Sequence, residues 1–202
     1  HELAACVMRS AAKRGLGETA RQRRHGCDMG KQRLVPRFTR ICGIDPGLGR
    51  TGYGVVELTR AEPRVIEAGV LRPGAVDRTL AARLAALAAG LDELLEEHRP
   101  EALAVEQLYA HYKHPRTAIL MGHARGVILL TAARRGLPVI DLPATAVKRY
   151  LTGSGHASKP QMQKMIAQVL KLGAVPRPPD VADALSIAMC ALHRQRAEGG
   201  RA

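Results

Sequence analysis

The stretch Arg40–Thr59, "RICGIDPGLGRTGYGVVELT", decides the fold. Within it, "GLGRTG" satisfies the pattern G-x-G-x-x-G at Gly47, Gly49 and Gly52. A dinucleotide cradle needs a strand, a glycine turn and then a helix, because the helix N-terminus holds the pyrophosphate. Here the glycines run into "YGVVELT", where Tyr53, Val55 and Val56 favour a strand. The turn therefore joins two strands and offers no helix N-terminus, which argues against the cradle. Its glycines serve a tight turn and the close approach of a backbone or a substrate. What remains is the acid in front of them. Asp45 stands between Ile44 and Pro46 at the tip of a mostly apolar strand. A charge there is costly unless it is paired or metal-bound. Alone, such an acid is also compatible with a turn or helix cap.

Outward from this stretch, "RICGID", "GYGVVELT" and "RVIEAGVLR" read as three successive antiparallel strands separated by Gly- or Pro-containing turns. Leu80, Leu84, Leu87, Leu91, Leu94 and Leu95 then recur at helical spacing, and Pro100 ends that helix. "EALAVEQ" is a fourth strand, residues 115–135 a second long helix, and "GLPVIDL" a fifth strand. "TAVKRYL" and "KPQMQKMIAQVLKL" are helical around the loop "TGSGHAS", and "DVADALSIAMCALHRQR" is the final helix. The order read this way is β-β-β-α-β-α-β-α-α, without internal repeats. It predicts an α/β domain with a five-stranded mixed sheet flanked by helices. On the second helix Ala118, Gly122 and Gly126 recur every four residues, a small-residue face that lets two helices approach closely.

Three further acids change the reading of Asp45. Glu106 ends the fourth strand in "LAVEQLY", again an apolar strand closed by an acid. If the first and fourth strands are neighbours, Asp45 and Glu106 lie side by side at one sheet edge. Asp180 and Asp183 stand three apart at the start of the last helix, on one face. Helix capping accounts for one of them and does not require the second. Four converging carboxylates repel one another unless divalent cations intervene. Mg²⁺ favours oxygen ligands and takes few carboxylates while keeping waters. Two such ions can activate a water and stabilise the leaving oxygen in phosphodiester cleavage.

The charge agrees with a polyanionic partner: the net charge is +13 and the pI about 10.4. Residues 1–40 hold ten Lys/Arg against three Asp/Glu, so the body of the chain is only moderately basic. Residues 1–37 lack hydrophobic periodicity and are expected to be a mobile basic extension. Its opening at His1 is read as an over-long start or a tag remnant, with Met29 as the natural start. The folded domain is expected to span residues 38–197, followed by a short tail, 198–202. Cys6, Cys27, Cys42 and Cys190 have no C-x-x-C or framework spacing, which fits free thiols in a reducing cytoplasm. No apolar run approaches the roughly 20 residues that span a membrane. His111 and His114 form a lone His-x-x-His, too few ligands for a zinc site.

"GIDPGLGRTGYGVV", "VEQLY", "ARGVILLTA", "VKRYLTGSGHASKPQMQ" and "DVADALSIAMCALH" together resemble the RuvC family of Holliday junction resolvases. The resemblance covers about residues 40–195, in order and with matched intervals. It implies an RNase H-like fold and a crossover junction endodeoxyribonuclease, making paired symmetric nicks during recombination and DNA repair. The implied catalytic and metal-binding acids are Asp45, Glu106, Asp180 and Asp183, of which Asp180 tolerates His in some relatives. By the same resemblance Lys148 and Lys159 contact DNA near the acids. Tyr109 falls where relatives often carry a Phe that inserts at the junction centre, and its π-face can still stack on a base. His123 departs from a common Gln. The implied cofactor is Mg²⁺, two ions per subunit, with Mn²⁺ able to substitute. Asp45 is expected to bridge both ions, Glu106 and Asp183 to hold one each, and Asp180 to complete the second site or orient the water. The implied partners are four-way junction DNA, a second copy of the chain contacting through the helix after the fourth strand, and the RuvA–RuvB branch-migration complex. Products are nicked duplexes with ligatable 5′-phosphate and 3′-hydroxyl ends.

Three other readings compete. A non-catalytic junction-binding protein has no use for four acids facing phosphate. An actin-like or sugar-kinase ATPase needs a second domain and phosphate loop that 202 residues do not supply. A related nuclease acting on RNA differs only through the DNA contacts that the resemblance implies.

Overall fold

The structure is a computed structural model, and it describes residues 38–60, 62–74, 79–108 and 115–199. The expected extension 1–37, Tyr109, His111, His114 and residues 200–202 of the tail lie outside the described residues.

Five strands form one sheet in the order β3-β2-β1-β4-β5. The strands are β1 (Arg40–Asp45), β2 (Thr51–Leu58), β3 (Pro63–Leu71), β4 (Ala102–Glu106) and β5 (Val139–Leu142). β1, β2 and β3 pair antiparallel, while β4 and β5 run parallel to β1. The helices are α1 (Leu80–His98), α2 (Pro115–Arg134), α3 (Ala144–Thr152), α4 (Lys159–Val169) and α5 (Pro179–Gly199). The C-terminal part contributes three helices, one for each helical segment read there, so the order ends in three helices where β-β-β-α-β-α-β-α-α shows two. Gly153, in the left-handed region at φ 74°, ends α3. Ser158 then opens α4, its backbone N–H donating to Gln161 Oε1 at 2.8 Å. At the first long helix, Thr79 Oγ1 accepts from Ala82 N at 3.2 Å, and Arg99 turns left-handed ahead of Pro100.

The period-two alternation of the central strands divides the core into two layers. Cys42, Ile44, Val55, Leu103 and Val105 point towards α1 and α2, where Leu87, Leu91, Ala124 and Ile128 are buried. Ile41, Val56, Ala102 and Ala104 point the other way, onto α5 with α3 and α4 behind it. By the same alternation Gly43, Asp45 and Glu106 belong to the α5 side. Gly43 opposes Gly54 and Asp45 opposes Gly52 in the β1–β2 ladder, so all three glycines face α5. A Cβ on Gly43 would meet Ala184 O at 2.2 Å, one on Gly52 Asp180 O at 2.1 Å, and one on Gly54 Leu185 Cδ2 at 2.7 Å. The glycines form a smooth track, and α5 lies directly on the strand backbones. Gly47 and Gly49 belong to the turn itself: the Cβ position of Gly47 is blocked by Arg50 O at 2.3 Å, while one on Gly49 would meet nothing within 4 Å.

Candidate active site

β1 and β4 are neighbours. Their ladder pairs Ile44 with Val105, so the next residues, Asp45 and Glu106, leave the sheet side by side. The glycine track sets Asp180 against Gly52, opposite Asp45, and Asp183 follows one turn later on α5. The four acids named from the sequence therefore meet at one edge, outside the carboxyl ends of the parallel strands.

Their electrostatics agree with that convergence. Burial, followed by the charges of Asp183, Glu106 and Asp180, pushes the Asp45 carboxyl up to about 7, with Lys159 pulling the other way. Burial and then Asp183 raise Glu106, against the pull of Lys148 and Lys159. Asp183 is also raised, chiefly by burial, although Lys159 stands beside it with Nζ 3.7 Å from Oδ2. Lys148, one turn into α3, and Lys159, the first residue of α4, thus both reach the acids. On the other flank the β1–β2 turn brings in Arg50, whose Nε lies 3.9 Å from Asp180 Oδ2. Sequence reasoning missed Arg50. Its only signal was its place in the turn that follows Asp45.

The donor set suits a hard divalent cation. It consists of carboxylate oxygens alone, and Asp45 stays raised by burial and the neighbouring carboxylates despite the pull of Lys159. Among the described residues no three His, Cys, Asp or Glu side chains are gathered tightly enough to cage an ion outright. That is compatible with an ion of the Mg²⁺ type, which takes one or two carboxylates directly and keeps its waters.

A mixed five-stranded sheet with acids at the ends of its two central strands and on the helix laid across them defines an RNase H-like protein. The family model Crossover junction endodeoxyribonuclease RuvC matches residues 41–191. The RuvC of Rhodopirellula baltica is 49% identical over 152 residues, covering 74% of this chain and 84% of that protein. The chain belongs to the RuvC family, whose nucleases are metal-dependent. Among solved structures, Thermus thermophilus RuvC in complex with a Holliday junction substrate is similar with a TM-score of 0.72 and 32% identity, over 79% of this chain and 96% of that one. The yeast mitochondrial Holliday junction resolvase shares the fold, with a TM-score of 0.61 at 18% identity over 84% of this chain and 85% of that one.

Proposed function

We propose that the chain is a structure-specific endodeoxyribonuclease that resolves Holliday junctions by paired, symmetric, metal-dependent nicks in recombination and DNA repair. The observation that carries this reading is the meeting of Asp45, Glu106, Asp180 and Asp183 at one sheet edge, flanked by lysines, in a chain of the RuvC family.

Asp45, Glu106, Asp180 and Asp183 hold the metal, Mg²⁺ at two ions per subunit, with Mn²⁺ able to replace it. When bound, divalent ions supply Lewis acidity that activates a water and stabilises the leaving oxygen of a phosphodiester. The chain's own residues do the rest. Asp45 is central, because it is buried and feels the other three carboxylates, so it would be the acid most in need of a cation's charge. Lys148 and Lys159 place positive charge over the acids, where charge builds on the phosphate in the transition state. The buried strand ends under Asp45 and Glu106 keep both carboxylates on one face.

A four-way junction has approximate two-fold symmetry, so a C₂ dimer presents one site to each of two strands. The outer face of α2 supports this pairing. Ile119 and Leu130 are 59% and 58% exposed, and a Cβ at Gly122 or Gly126 would meet nothing within 4 Å. Ala118, expected on that face, is half-buried instead, and the open stripe runs Ile119–Gly122–Gly126–Leu130. Tyr109 is proposed to stack at the junction centre. Family membership supports RuvA–RuvB as partners, and the free buried Cys42 and Cys190 suit a reducing cytoplasm. Among the described residues no helix is long and apolar enough to cross a membrane.

The test is Asp45→Asn. It should bind a labelled four-way junction with wild-type affinity in EDTA and lose single-turnover cutting in Mg²⁺ on the order of a thousandfold, about 4 kcal/mol in the barrier. Retained cutting contradicts the assignment of Asp45.

A further inference from the structure

We infer that Arg50 is a phosphate-contacting residue of this site, holding the cut strand on the flank opposite Lys148 and Lys159. The inference rests on the nuclease reading and adds to it a residue and a direction for the DNA strand.

Three observations carry it. The first is position. Lys148 and Lys159 come from α3 and α4 and act on Glu106 and Asp183. Arg50 comes from the β1–β2 turn and approaches Asp180. The acids therefore lie between two cationic flanks, and a strand crossing them passes both. The second is availability. Arg50 is 55% exposed, and its 3.9 Å approach to Asp180 is too long for a hydrogen bond. The guanidinium fork is therefore not locked into that pair, and its planar donors match phosphate oxygens two at a time. A guanidinium left this open next to the acids has phosphate as a natural counter-charge, whether or not a cation is bound.

The third is a rigid mount. Thr51 Oγ1 donates to Gly47 O at 2.6 Å and closes the turn from within. Leu48 is buried, and its carbonyl accepts from Arg83 Nη2 of α1 at 2.9 Å. A turn held by these two bonds fixes the backbone that carries Arg50, which lowers the entropy lost when its side chain grips a strand. Neither clamp involves the Arg50 side chain, so its removal leaves the fold intact. The assignment is to the phosphate neighbouring the scissile one, on the side away from the lysines.

The experiment is fluorescence anisotropy of a labelled four-way junction titrated with wild type, Arg50→Ala, Arg50→Lys and Arg60→Ala, in EDTA, at several salt concentrations. Arg60 lies in the β2–β3 turn at the far end of β2 and controls for the loss of one net charge. One phosphate contact changes the slope of log K against log salt by about 0.9. The wild-type advantage over Arg50→Ala should therefore shrink about 3.5-fold between 50 and 200 mM salt. Arg50→Lys should keep the wild-type slope with weaker binding. Equal slopes for wild type and Arg50→Ala, or equal losses for Arg50→Ala and Arg60→Ala, overturn the role of Arg50 alone. Absence of junction binding by the wild type overturns the nuclease reading and this inference with it.

Discussion

At the scale of single residues, the proposed chemistry turns on Asp45. Its carboxyl is pushed from the ordinary range up to about 7 by burial and by three neighbouring carboxylates. The linkage follows in sign. An acid raised in the folded state binds its proton more tightly there than in the unfolded chain. Its stabilising effect is complete below pH about 4 and is lost as pH rises through about 7. In EDTA, Asp45→Asn should therefore melt higher than wild type at pH 8 and close to it at pH 4.5. The difference at the upper end should amount to a few kcal/mol. Mg²⁺ should narrow that gap, because it replaces the proton as the counter-charge. The same competition means that at limiting Mg²⁺ the cutting rate falls as pH drops from 8 to 6. Thermal melts across this range check the first statement and single-turnover rates the second. A wild type and variant that melt in parallel at every pH would contradict the electrostatic account of the cluster.

At the scale of elements, the site depends on α5 lying on bare backbone. Gly52→Ala places a methyl group 2.1 Å from Asp180 O, a contact of backbone against strand that neither side can relieve easily. It should destabilise the protein by about 1–3 kcal/mol and reduce cutting by displacing Asp180. Gly49→Ala, with nothing within 4 Å, should do neither. Denaturant melts and nicking assays on the pair separate a track glycine from a turn glycine. On α2 the expectation reverses. Gly126→Leu has open space in the subunit and gains up to about 1 kcal/mol of helix propensity, yet should weaken the dimer. Sedimentation at micromolar concentration decides this, and a monomeric wild type contradicts the pairing outright. These elements also show what sequence can reveal. The apolar strands closed by Asp45 and Glu106, and the leucine spacing of α1, carry their periodicity openly, so the sheet, the helices and the four acids were all legible. The glycine pattern tells of close backbone approach but not of the partner. That Gly43, Gly52 and Gly54 face one helix depends on ladder register, which is a property of two strands together. Arg50 escaped for the same reason, since its proximity to Asp180 spans 130 residues of chain and arises only when α5 settles on β2.

At the scale of the whole molecule, the parts serve one geometry. The parallel strands β1 and β4 bring two acids to a common edge, α5 brings two more, and α3, α4 and the β1–β2 turn supply the cations around them. A high positive charge draws the protein to DNA generally. In the proposed pairing, selective action on a junction comes from two such sites facing two strands at once. The most direct measurement is incubation of the protein with a labelled mobile four-way junction, in Mg²⁺ and in EDTA, followed by mapping of every nick and ligation of the products. The account predicts paired nicks at symmetric positions, sealed by ligase, in Mg²⁺ alone. Tight binding with no cuts in Mg²⁺ or Mn²⁺, or cuts that persist in EDTA, would contradict it.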